Sequence, residues 1–220
     1  MNILVTGSNG FIAKNLTQFL SEQDDINILC FNRNSSEDDL KDAVIKADWI
    51  IHLAGVNRPL NEQEFVEGNI TLTQKIADLL IEYNKKTPII LSSSIQAEQD
   101  NAYGQSKLGG EQVLIDLNNN QGNPVYICRL ANVFGKWSRP NYNSAVATFC
   151  HNIANDLPIQ INNPDAVIRL VYIDDVVETF WQMIEGHYSP EQYFVIEPEY
   201  QITVGDLADT LREFKQSRET

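Results

Sequence analysis

Short apolar runs alternate along this chain with segments whose apolar residues recur every three or four positions. The runs MNILVTG, INILCF, WIIHLAG, PIILSSS and VYICRLANVF are compact, apolar-rich and bounded by turn-formers, the pattern of strands buried in a parallel sheet. Between them NLTQFLSEQ, EDDLKDAVIKA, LTQKIADLLIEYN and GGEQVLIDLNNN carry helical spacing. This order predicts an α/β fold, a doubly wound parallel sheet of the Rossmann class with helices on both faces. After about residue 136 the texture changes to KWSRPNYNS, a helix-like AVATFCHNIAND, a strand-like PIQIN and RLVYIDDVVETFWQM. Residues 1–135 are thus expected to form the sheet core of one domain spanning 1–220, and residues 136–220 mainly a small lobe interleaved with returning sheet elements.

Composition narrows this picture. A chain of 220 residues with 43% hydrophobic content is long enough to bury a core. It has no apolar run long enough to span a bilayer, and its N-terminus enters a strand without a basic region and apolar signal core. A soluble, cytoplasmic protein with no membrane partner is expected. The formal charge of -14 excludes a broad basic surface for nucleic acid, so an anionic ligand needs a local exception. Cys30, Cys128 and Cys150 are odd in number, widely spaced and set among apolar residues, which predicts reduced core thiols. His52, His151 and His187 are scattered, and no metal site is expected.

The first chemical signal is VTGSNGFIA, a glycine-rich turn between a predicted strand and a predicted helix. There Gly7 permits the tight turn, Gly10 lets the backbone approach a pyrophosphate, and the helix N-terminus offers unpaired N–H groups; Ala13 takes the third small position. An NAD site places a carboxylate at the end of the second strand, but LCFNRNSS has Asn32, Arg33 and Asn34. A guanidinium there suits a 2′-phosphate, which favours NADPH. Asp48, just before WIIHLAG, is a second candidate, for the adenine.

The stretch LSSSIQAEQDNAYGQSKLGGEQ ends an apolar run in three serines and sets Tyr103 one helical turn before Lys107. Such a pair alone is more often a surface contact. Placed after a serine-tipped strand, at the sheet end where ligands bind, it reads as chemistry. Ser94 would hydrogen-bond a substrate carbonyl, Tyr103 would donate a proton to its oxygen, and Lys107 would lower the phenol's pKa. Ser92 and Ser93 adjoin Ser94, and the choice among the three stays open.

Together TGSNGFIA, HLAG, SSS, YGQSK and RLANVFG make the chain resemble the extended short-chain dehydrogenase/reductases from residue 1 to about 215. HLAGVNRP, SSSIQAEQDNAYGQSK, FGKWSRPNYNS and the closing FKQSR are similar to the reductase part of bacterial capsular-polysaccharide reductase/epimerases. That resemblance implies NADPH-dependent reduction of the C4 ketone of a UDP-2-acetamido-2,6-dideoxy-hexos-4-ulose to a UDP-N-acetyl-6-deoxy-talosamine, on the route to UDP-N-acetyl-L-fucosamine. It implies catalytic roles for Ser94, Tyr103 and Lys107, with Asn69 supporting the lysine through water. Cofactor contacts are implied at Gly7, Asn9, Gly10, Phe11, Ile12, Arg33, Leu53, Ala54 and Gly55, and also at Tyr103 and Lys107. For the UDP-sugar it implies Asn132, Arg139, Asn141, Ser144 and Arg169, the last in the position of a diphosphate arginine whose structural alternative is an ion pair with Asp174 or Asp175. Asn57 and Arg58 are looser candidates for the sugar. QAEQ stands where the family's tyrosine-glycine marker fixes the serine register. A homodimer through LTQKIADLLIEY and GGEQVLIDL is expected. Relatives carry a metal-binding cupin domain after the reductase, so the chain is expected to be either part of a longer protein or a stand-alone reductase. A 4,6-dehydratase or 4-epimerase would retain NAD, and a dehydratase needs an acid pair where Ile95 and Gln96 stand. A non-catalytic NADP-sensing protein commonly loses the Tyr and Lys present here.

Overall fold

The computed structural model describes residues 1–190 and 193–217. The chain divides into two compact units, Met1–Leu130 with Val177–Ile196, and Ala131–Val176 with Glu197–Thr220.

In the first unit the elements run β1 (Asn2–Thr6), α1 (Phe11–Ser21), β2 (Asn27–Phe31), α2 (Glu37–Lys46), β3 (Trp49–His52) and α3 (Gln63–Val66). A π-helical turn, Glu67–Thr71, leads into α4 (Leu72–Glu82). Then come β4 (Ile89–Ser94), a 3-10 turn at Ile95–Glu98, α5 (Ala102–Gln121) and β5 (Val125–Leu130). The five strands form one parallel sheet in the order β2-β1-β3-β4-β5. The βαβ alternation and the apolar runs explain it: Ile3, Leu4, Val5, Ile50, Ile51, Ile89, Ile90 and Leu91 are almost wholly excluded from solvent.

The helices follow from their caps and faces. Ser36 accepts from the Asp39 N–H while the Asp39 carboxylate accepts from the Ser36 N–H, a reciprocal cap that starts α2 beside three first-turn acids. The N-terminus of α5 is fixed by the Asn101 side chain, which accepts from the Gly104 N–H at 2.8 Å, and Gly122 ends the helix at φ +79°. From α4, Ile76, Ala77 and Leu80, and from α5, Leu114 and Leu117, pack with Leu4, Ile50, Ile89 and Ile127 into one core. Truncating a side chain such as Leu80 to alanine there costs about 2–5 kcal/mol.

The second unit opens with β6 (Asn132–Phe134), α6 (Ala145–Ala154) and β7 (Val167–Tyr172), and later contains β8 (Glu199–Thr203) and α8 (Val204–Gln216). The division falls within α7 (Ile173–Ile184). Its sheet has the order β6-β7-β8, with β6 and β7 parallel and β8 antiparallel. Phe149, Leu207 and Ala208 form its core with Val146, Ile168, Ile202 and Leu211.

Three sequence expectations need correction. VYICRLANVF is not one strand: Ala131 separates β5 from β6, and the two belong to different sheets. PIQIN forms no strand, because residues 158–162 find no ladder partner. Cys128 is buried, and burial pushes its thiol pKa up, but Cys30 and Cys150 are exposed. Cys30 lies on β2, an edge strand with no buried residue, and Cys150 on the outer face of α6. Of the closing FKQSR, Arg218 lies outside the described residues. No helix among the described residues is long and apolar enough to cross a membrane.

Candidate active site

The carboxyl ends of β1, β3 and β4 converge, because parallel strands place all their following loops at one edge of the sheet. After β1, Gly7 turns the chain at φ +65°, and a Cβ there would stand 2.8 Å from the Ala54 backbone. Glycine is required on both counts. The Gly10 N–H donates to the Gly7 carbonyl at 2.8 Å, and Gly10 precedes α1 without a side-chain cap. Phe11 and Ile12 start that helix, whose first turn has no acid. Asn9 and Gly10 are exposed beside it, and Leu53, Ala54 and Gly55 follow β3. A close-packed glycine turn, an uncapped helix N-terminus and no local carboxylate together fit the pyrophosphate of a dinucleotide.

At the end of β2, Arg33 is exposed, and Asn32 reaches back to the Ser8 hydroxyl at 3.4 Å. Ser8 in turn donates its N–H to the Phe31 carbonyl at 3.2 Å, which ties the arginine turn to the glycine turn. Asp48 is elsewhere. It lies at the amino end of β3, where its carboxylate accepts the Asn2 N–H at 2.7 Å, so the adenine assignment fails on strand polarity.

The three serines have three different partners. On α5, Tyr103, Lys107 and Glu111 lie four residues apart and so form one stripe. Ser94 lies beside the Tyr103 phenol and acts to lower its pKa. Lys107 Nζ donates to the Ser92 carbonyl at 2.7 Å, and the Ser93 hydroxyl donates to Glu111. Ser92 Oγ donates to the His52 carbonyl at 3.3 Å, and Ser94 Oγ also accepts the Gln96 N–H at 3.1 Å. The Tyr103 ring packs 5.7 Å from that of Phe65.

Protonation follows from this packing. Burial lowers the Lys107 pKa to about 8, against an opposing pull from Glu111. Burial also raises the Tyr103 pKa, with Ser94 acting the other way. That reverses the sequence expectation of a phenol acidified by Lys107. The ammonium is itself desolvated and engaged with the Ser92 carbonyl, so exclusion of water decides the direction.

Asn69 sits in the π-helical turn, buried. Its amide brackets Val56, accepting the Val56 N–H and donating to the Val56 carbonyl, both at 2.9 Å, and it donates to Ser106 Oγ at 2.9 Å. Its Oδ1 and Lys107 Nζ both border Gly55, where a Cβ would meet them at 2.8 and 3.7 Å. The Asn69 carbonyl accepts the Thr73 hydroxyl at 2.9 Å. That orders a chain which sequence reasoning missed. His52 Nε2 must donate to Thr73 at 2.9 Å, leaving Nδ1 to accept from Thr6 at 2.6 Å, while Thr6 Oγ1 accepts the Ala54 N–H at 3.1 Å. Burial first, and Lys107 second, push the His52 pKa down to about 3, so the ring stays neutral. The signal was HLAG itself, a histidine ending a buried apolar run.

Most of the remaining expected residues belong to the second unit. Asn132 opens β6 and donates to the Arg169 carbonyl at 2.9 Å. Ser144 caps α6, accepting the Ala147 N–H at 3.2 Å. Asn141 takes φ +56° and donates its N–H to Thr148 Oγ1 at 2.9 Å. Arg139 lies 5.6 Å from the Tyr142 ring. Arg169 pairs through two nitrogens with Glu199 across the β7–β8 ladder, while Asp174 pairs with Lys136 at 3.0 Å. Arg169 thus has an ion-pair partner in Glu199. Asn57 and Arg58 are exposed after β3. Among the described residues no group of three His, Cys, Asp or Glu side chains gathers to hold a metal.

The chain is similar over its whole length to the Pseudomonas aeruginosa UDP-2-acetamido-2,6-beta-L-arabino-hexul-4-ose reductase, at 52% identity, and covers 59% of that protein. It is similar to the crystal structure of the capsular polysaccharide assembling protein CapF from Staphylococcus aureus, with TM-score 0.88 and 44% identity over 99% of this chain and 58% of that one. The chain therefore spans less than two thirds of the length of these relatives. The NAD complex of UDP-glucuronic acid 4-epimerase from Bacillus cereus shares the fold, with TM-score 0.87 at 20% identity over 98% of this chain and 85% of that one. Residues 3–196 match the model of the NAD dependent epimerase/dehydratase family. The chain belongs to the NAD dependent epimerase/dehydratase family.

Proposed function

We propose that this chain reduces the C4 ketone of a UDP-2-acetamido-2,6-dideoxy-hexos-4-ulose, using NADPH. The observation that carries this reading is the stripe on α5, which sets the Tyr103 phenol against Ser94 at the carboxyl edge of the sheet, one turn from a buried lysine. The Pseudomonas aeruginosa relative, a UDP-2-acetamido-2,6-beta-L-arabino-hexul-4-ose reductase, supports the substrate class.

A nicotinamide dinucleotide held by Gly7, Gly10, the α1 N-terminus and Leu53 to Gly55 would supply the hydride. Ser94 hydrogen-bonds the ketone oxygen, and Tyr103 gives that oxygen its proton. A phenol whose pKa is raised by burial stays protonated near neutrality, which suits it to act as the acid in a reduction. Lys107, with a pKa of about 8, is poised to restore the proton to the phenolate. The turn after Ser94 holds Ile95 and Gln96, which favours a reductase over a dehydratase requiring an acid there.

Arg33, without a carboxylate beside it in Asn32–Ser36, is assigned to the 2′-phosphate of NADPH. The UDP group is assigned to Asn132, Arg139, Asn141, Ser144 and Arg169. Because Glu199 already engages Arg169, the diphosphate must share or displace that carboxylate.

The test is oxidation of NADPH, with NADH in parallel, on freshly generated UDP-2-acetamido-2,6-dideoxy-4-keto sugars of both C3 configurations. Turnover with NADPH on one epimer is expected. Binding of NADPH without turnover of either sugar would overturn the substrate assignment, and equal use of NADH would overturn the role of Arg33.

A further inference from the structure

Beneath the serine-tipped strand lies a buried charge pair that the reduction does not itself use. Glu111 has a fully buried side chain. Arg129, on β5, donates to it from Nε at 3.0 Å and from Nη2 at 2.7 Å, and the Ser93 hydroxyl adds a third bond. The same guanidinium donates through Nη1 to Glu98 at 2.8 Å, and its face lies 3.9 Å from the Tyr193 ring centroid. Ser93 precedes Ser94 and Glu98 ends the 3-10 turn that follows it, so one ion pair grips the chain on both sides of Ser94. Glu111 is also one helical turn beyond Lys107.

We propose that Glu111, clamped by Arg129, is a positioning residue for Ser94, Tyr103 and Lys107: it holds the serines of β4 in register and keeps Lys107 cationic. A buried ammonium needs a compensating anion close by. The groups facing Lys107 are neutral His52 on β3, the Ser92 carbonyl on β4, Asn69 beside Gly55, and Tyr103 and Glu111 on its own helix. Among these Glu111 is the one carboxylate, ion-paired with Arg129. Those facing Glu111 are Arg129, Ser93 and Lys107, with Glu98 and Tyr193 beyond the arginine. Removing Glu111 takes away the anion and leaves Arg129 paired with the exposed Glu98 alone, whereas removing both charges takes away the cation's opposing effect as well. Lys107 should therefore lose its proton most readily in Glu111→Gln and less so in Glu111→Leu/Arg129→Leu.

The Glu111 clamp is set by geometry, and only its effect on turnover rests on the reductase reading. The experiment is a pH titration of the Lys107 13Cε resonance in lysine-labelled protein without cofactor or sugar, assigned by its loss in Lys107→Met. A midpoint near pH 8 is expected in the wild type. In Glu111→Gln it is expected to fall by at least about half a pH unit, as a charge one helical turn away requires even when well screened. The double variant, whose apolar replacement of both charges is compatible with folding, should fall in between and serves if the single variant does not fold. A folded variant with the wild-type midpoint overturns the proposal. Absence of turnover in the wild type, with the midpoint shift intact, would sink the reductase reading and leave this inference standing.

Discussion

Replacing Lys107 with methionine should stabilise the fold while abolishing its chemistry. Burial brings the lysine pKa from its ordinary 10.5 to about 8. At about 1.36 kcal/mol per unit, keeping the ammonium charged in the folded protein costs roughly 3 kcal/mol below pH 8. Between about pH 8 and 10.5 the unfolded chain binds a proton that the native state lacks, so unfolding free energy rises with pH through that window. The penalty is complete below it and absent above it. In Lys107→Met the dependence disappears. The variant also orphans the Ser92 carbonyl, which costs about 1 kcal/mol at every pH, leaving a net gain of about 2 kcal/mol at pH 7. Urea unfolding of both proteins at several pH values from 7 to 10.5 measures this. The wild type should close the gap by up to about 1.36 kcal/mol per pH unit. Parallel curves across the window would refute the reasoning, because the lysine would then not be held against its own hydration.

Two further outcomes follow from the neighbouring packing. Gly110→Ala would place a Cβ 2.6 Å from the Asn69 carbonyl in the π-helical turn, and such overpacking should cost about 1–3 kcal/mol; an unchanged melting temperature would contradict it. His52, with its pKa pushed down to about 3, stays neutral in the fold while the unfolded chain takes up a proton, so stability should fall as pH drops from about 6.5 toward 3. His52→Gln should flatten that acid limb in urea titrations, and an unaltered limb would clear the histidine of the role.

Much of the sheet was legible because burial on both faces leaves an apolar run, and β1, β3 and β4 are such runs. β6 was not, since three residues with half-exposed side chains carry little pattern, and Ala131 hides the break from β5. PIQIN shows the converse: alternation without a neighbouring strand gives no ladder. At the site, the spacing of Tyr103 and Lys107 showed which helix face mattered. The division of labour among Ser92, Ser93 and Ser94 required knowing that Glu111 continues that face and takes Ser93 for itself. Arg129 and Glu111 were invisible as a pair because they lie 18 residues apart on different elements. The direction of the Tyr103 shift depended on exclusion of water by groups such as the Phe65 ring, which spacing cannot convey.

In the proposed reduction Ser94, among three adjacent serines, works with the phenol of Tyr103. Single-turnover reduction of the UDP-4-keto sugar should be compared in Ser92→Ala, Ser94→Ala and Tyr103→Phe, with NADPH affinity measured for each. Ser94→Ala and Tyr103→Phe are expected to lose about 10²–10⁴-fold in the reductive step with NADPH affinity retained, while Ser92→Ala, whose hydroxyl serves the His52 carbonyl, stays within a few fold of the wild type. Wild-type turnover in Ser94→Ala or Tyr103→Phe would contradict the assignment of the proton donor and its partner.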